Sequence, residues 1–131
     1  MPDYDIQFPP SFYTALDQFN AGEYFACHET LEALWIPEER PVREVYQGIL
    51  HVAVGCYHLT TRRNWVGAVN QFAKALRRLG PWPGAIGGVD VDSLRMDIER
   101  LRNHLIDIGR DRVREFDTTL LPVVTYEIDS E

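Results

Sequence analysis

The chain has 131 residues, 45% hydrophobic, 11% aromatic and 25% charged, which excludes disorder, collagen-like sequence and a disulfide-rich miniprotein. Thirteen Lys and Arg against twenty Asp and Glu leave a net charge of −7. That argues against general nucleic-acid binding, whose affinity comes largely from cations meeting phosphates.

The opening MPDYDIQFPPSF has neither a basic nor an apolar signal-peptide region, so no secretory leader is expected. Ser11 is expected to cap a first helix in which Phe12, Ala15, Leu16 and Phe19 form a stripe, closed by Asn20–Gly22. Glu23 to about Trp35 reads as a second helix, ended by the Ile36-Pro37 step. Pro41 opens a third that runs to about Thr61. Asn64 caps a fourth, with Trp65, Ala68, Val69, Phe72, Leu76 and Leu79 at helical spacing.

Residues 80–90, GPWPGAIGGVD, are a loop. Asp92 or Asp90 caps a fifth helix, about 92–109, carrying Leu94, Ile98, Leu101, Leu105 and Ile108. The tail after Phe116 is expected to dock as an extended strip, and no run predicts a β-hairpin. Cys27 and Cys56 sit in apolar helical contexts and read as small buried hydrophobes. The expected architecture is all-α: one compact domain of four to five helices with an extended C-terminal tail. The longest uncharged run, Val45 to Thr61, is short for a membrane span and contains polar side chains. A soluble, cytoplasmic protein is expected.

The chemistry lies where polar residues interrupt apolar faces. At about 100° per residue, Tyr24, His28, Leu31 and Trp35 fall on one line of the second helix, with Glu32 beside it and Glu29 at the flank. The third helix, uncharged from Val45 to Thr61, should be central, yet Gln47, His51 and His58 share one narrow stripe on it, flanked by Gly48 and Gly55, which would let another helix or a ligand approach closely. A buried His/Glu/Gln cluster between the two helices is therefore expected, and three accounts of it stand. It is a structural hydrogen-bond network fixing helix register; or a divalent transition-metal site (Zn, Fe or Ni) on His28, Glu32 and His58; or metal-free acid–base chemistry through Glu29, Glu32 and His58. In the last two, Gln47, Trp35 and Tyr24 would bind a small substrate. His-Glu-x-x-Glu at 28–32 is not the zincin motif, and the paired Glu-x-x-His motifs of di-iron bundles are absent.

These residues resemble a known family. FNAGEYFACHETLEALW (19–35), VYQGILHVAVGCYHL (45–59) and RNWVGA (63–68) are similar to the blocks of domain-of-unknown-function family 309, over about residues 12–80. The resemblance implies an all-α fold and no established activity. It places His28, Glu29, Glu32, Gln47 and His58 in the family's pattern and His51 at a more variable position.

A non-enzymatic interaction module is the rival expectation. Ala68, Phe72 and Ala75 have the small–aromatic–small spacing of a tetratricopeptide helix, and residues 20–24 resemble the turn between such helices. The Arg-rich stretch 95–114 also carries five carboxylates to its end at 115 and reads as a salt-bridged solvated face. A small molecule or a protein, including a second copy as a homodimer, is the expected class of partner. Neither nucleic acid nor membrane is expected.

Overall fold

The computed structural model describes residues 6–128. Helices α1 (Pro10–Asn20), α2 (Tyr24–Trp35), α3 (Arg43–Thr60), α4 (Trp65–Leu79) and α5 (Val91–Ile108) follow one another, and each packs on its predecessor. Contacts across α2–α3 and α4–α5 pair the start of one helix with the end of its neighbour. Tyr57 meets Phe25 and Arg43 meets Trp35 across α2–α3, while Trp65 Nε1 donates to Leu105 O across α4–α5. The chain is thus a row of antiparallel hairpins with α3 inside it. Val45, Ile49, Val52, Ala53, Cys56 and Leu59 of α3 are wholly buried, in keeping with the absence of charge from Val45 onward.

The closest helix pair is α3–α4, and glycine sets its spacing. A methyl group at Gly48 would lie 2.7 Å from Leu79, and one at Gly55 would lie 2.5 Å from Phe72. Both pairs are seven residues apart on each helix, so they fix one antiparallel register. Ala68, Phe72 and Ala75, the tetratricopeptide-like trio, are fully buried in this layer.

Local signals at the helix ends account for the boundaries, with two exceptions. Asn64 caps α4 by accepting from Gly67 N at 2.9 Å, and Asp90 rather than Asp92 caps α5 by accepting from Ser93 N at 2.9 Å. Ser11 is no cap: α1 begins at Pro10, whose ring presets the first helical turn, and no side chain caps it. Pro41 starts a tight turn, and α3 proper begins two residues later.

Residues 80–90 are not wholly loop. Ala85–Ile86 and Val89–Asp90 form a minimal antiparallel hairpin around Gly87 and Gly88, whose φ values of 54° and 83° suit a two-residue turn. The tail then lies along this hairpin as expected for an extended strip. Asp90 N donates to Thr125 O, Glu127 N donates to Gly88 O, and Val89 bridges Tyr126. Asn20 clamps the strip from the end of α1, its amide giving to Val124 O at 2.9 Å and taking from Val124 N at 2.8 Å. Two 3-10 turns, Arg110–Glu115 and Thr118–Leu120, lead into it.

Candidate functional site

The polar residues of α2 and α3 do not form one buried cluster. Among the described residues no polar or charged side chain is buried. His28 Nε2 lies 3.7 Å from Glu32 Oε2, one turn along α2, with side chains 26% and 46% exposed. This is a solvent-reachable contact, longer than a hydrogen bond. Glu29 is exposed and lines no pocket with them. The physical reason is α4: its tight approach over Gly48 and Gly55 puts it, not α2, against Gln47 and His51 of the polar stripe. His51 Nδ1 accordingly pairs with Gln71 Oε1 of α4 at 2.8 Å.

His28 and His58 do meet, one from each helix. Together with Tyr24, Phe25, Val54 and Tyr57 they line a pocket of about 210 Å³ between the start of α2 and the end of α3. The walls are rings: the Phe25 centroid is 5.7 Å from that of His28 and 5.8 Å from that of Tyr57. Nδ1 of both imidazoles is shielded from solvent and has no hydrogen-bond partner among the described residues. Burial, assisted by the Arg62 charge, pushes His58 below the ordinary histidine pKa, so the ring is neutral at neutral pH.

The floor beneath is inert. Burial, with a hydrogen bond to Cys56, raises the Tyr24 phenol far above its usual range. Burial likewise lifts the Cys27 thiol to about 12 and the Cys56 thiol higher still. Neither free cysteine supplies a thiolate near neutral pH, in keeping with their role as small buried hydrophobes.

The remaining expected site residues lie elsewhere. Trp35 sits at the far end of α2, with the Arg43 guanidinium 5.6 Å from its ring centroid. Gln47 lines a separate pocket of about 490 Å³ with Glu44, His51, Lys74, Arg77 and Arg78. The sequence reading missed the three cations here. Their spacing at 74, 77 and 78 is the signal that would have placed them on one face of α4. Among the described residues no three His, Cys, Asp or Glu side chains are grouped as metal ligands. His28, Glu32 and His58 therefore do not fit a metal-ligand set, and no chemistry is derived through a metal.

Two comparisons bear on this arrangement. Residues 12–71 match the model of a family described as a domain of unknown function, DUF309. Over 124 residues the chain is 29% identical to the uncharacterized protein YpuF of Bacillus subtilis (strain 168), covering 93% of this chain and 69% of that protein. The family match contains every residue lining the α2–α3 pocket and stops short of Lys74, Arg77 and Arg78.

Proposed function

We propose that the DUF309 region, residues 12–71, is a small-molecule-binding helical domain whose site is the pocket between α2 and α3. The observation that carries this reading is a concavity of about 210 Å³ lined by two imidazoles and three aromatic rings. A cavity of roughly 150 Å³ holds benzene, so this one suits a single substituted ring. Burying about 100 Å² of ring surface contributes about 2.5 kcal/mol before association costs, which alone gives no better than millimolar affinity. A natural ligand must therefore also carry a polar group, and His28 with Glu32 beside it is the pair placed to hydrogen-bond that group or exchange a proton with it.

Indole is a suitable probe, followed through the imidazole and tyrosine NMR signals. We expect saturable shifts at His28, His58 and Tyr57 with a millimolar midpoint, abolished by the pocket-filling Val54→Phe. Equal behaviour of wild type and variant, or no shift in these signals, would overturn the reading.

A specific observation favours a second reading, an interaction module. Phe25 and Ile36 are 54% and 66% exposed and lie eleven residues apart, on the same face of α2. If a second copy docks there, the chain will dimerise with rising concentration and Phe25→Ser/Ile36→Ser will restore the monomer.

A further inference from the structure

The polar flank of the α3–α4 interface is an interrupted ladder. At one rung Arg78 Nη1 donates to Glu44 Oε1 at 2.9 Å; at the other His51 Nδ1 donates to Gln71 Oε1 at 2.8 Å. The rungs are seven residues apart on both helices, two turns of each. Midway, where a third rung would stand, the pocket of about 490 Å³ opens instead, with Gln47 on one wall and Lys74 and Arg77 on the other. Favourable placement of cations at a helix C-terminus accounts for Arg77 and Arg78 in the last turn of α4. It does not account for Lys74, nor for a concavity held open between two made contacts.

We propose that this gap binds the phosphate group of a small phosphomonoester. Lys74, Arg77 and Arg78 face a single carboxylate, Glu44, leaving two positive charges in a chain whose net charge is −7. A phosphomonoester carries about −1.5 to −2 charges near pH 7 and three acceptor oxygens, which guanidinium forks match in pairs. Gln47 adds a neutral amide donor.

His51 completes the set. Gln71 Oε1 can only accept, so the neutral His51 ring carries its proton on Nδ1, and protonation makes Nε2 a further donor. Burial, followed by the charges of Arg78, Lys74 and Arg77, holds His51 below the ordinary histidine value, while the Gln71 bond opposes this. Glu44 on its own helix is the one carboxylate lining the pocket, and no charged group of α2 lines it among the described residues. A bound dianion offsets the three cations and lets His51 take up its second proton.

The body of the ligand has a surface too. A pocket of about 330 Å³ shares Glu44, Arg77 and Arg78 with the first and continues to Pro41, Pro81 and Trp82. Cations at one end and flat apolar side chains at the other select a molecule with a phosphate at one end and a planar body behind it. This site lies at the opposite end of α3 from the α2–α3 pocket and does not depend on it.

The test uses phenyl phosphate, inorganic phosphate and hexaglutamate as probes, read by NMR at His51 and Gln71 at constant ionic strength. Phenyl phosphate should give saturable shifts at both residues and move the His51 titration midpoint upward, with inorganic phosphate binding more weakly. Lys74→Ala/Arg77→Ala should weaken it at least tenfold, while Glu44→Gln should bind as well or better. Lys74 and Arg77 are exposed, so an unchanged melting temperature verifies that the double variant is folded. The proposal is overturned by any of three results: no saturable shift, a folded double variant that binds like wild type, or hexaglutamate binding more tightly than phenyl phosphate.

Discussion

A histidine half-covered by apolar walls carries a stability cost that depends on pH. His51 and His58 both have folded-state pKa values below their ordinary one, chiefly through burial. Protons therefore bind the unfolded chain more readily. Their contribution to stability is whole above the unfolded value, near pH 6.5, and is lost as pH falls through the lowered folded values. Urea midpoints should drop between pH 7.5 and pH 5.5, and less steeply in His58→Gln, which cannot charge. An unchanged slope in that variant would mean that His58 does not titrate differently in the two states. At this scale the sequence was informative about identity and silent about company. It singled out His28 and His58, which share a pocket, but grouped them with Gln47 and His51, which face α4. A helical wheel assigns a direction to each side chain; which neighbour stands in that direction depends on how closely the next helix can approach.

That approach is a property of elements. The sequence marked Gly48 and Gly55 as places of close contact but left the partner open between another helix and a ligand. The seven-residue match to Leu79 and Phe72 shows the partner to be α4. Gly55→Ala sets two effects against each other: alanine favours an exposed helix by about 1 kcal/mol, whereas overpacking a core costs about 1–3 kcal/mol. With Phe72 ring atoms 2.5 and 2.8 Å from the added carbon, the ring must move, and overpacking wins. Denaturant unfolding should show a net loss of about 1–2 kcal/mol, and a gain in stability would refute the close-packed register. Caps were legible for the same local reason: Asn64 and Asp90 need only a backbone N–H three residues on. The hairpin at Ala85–Asp90 was not, although Gly-Gly between Ile86 and Val89 is a turn signal. Strands of two residues offer no alternation to read.

At the scale of the molecule, the structure shows a helical row closed by its tail. The Arg-rich segment carries the ion pairs of a solvated face, Arg100 with Asp97 and Arg112 with Glu115, and two of its arginines also hold the fold. Arg95 reaches Leu79 O, Trp82 O and Asp92, and Arg102 Nε donates to Val69 O, so these two residues tie α5 to α4 and to the loop before the hairpin. No helix among the described residues is long and apolar enough to cross a membrane. The two concavities lie toward opposite ends of α3.

The pairing of Asn20 with Val124 spans 104 residues, whereas the main helix–helix contacts join neighbours in sequence. Neighbouring hairpins can assemble by short searches, but this joint must wait for nearly the whole chain to be in place. What forms late for so few bonds is also released at small cost, so the strip from Leu121 to Ile128 should open without the helices unfolding. Its amides should exchange hydrogen well before those of α3, and Asn20→Ala should hasten Val124 and Asp90 while leaving Ile49 and Val52 unchanged. If all four quicken together, the strip and the helices are one cooperative unit, and the clamp is a rivet of the whole rather than a latch.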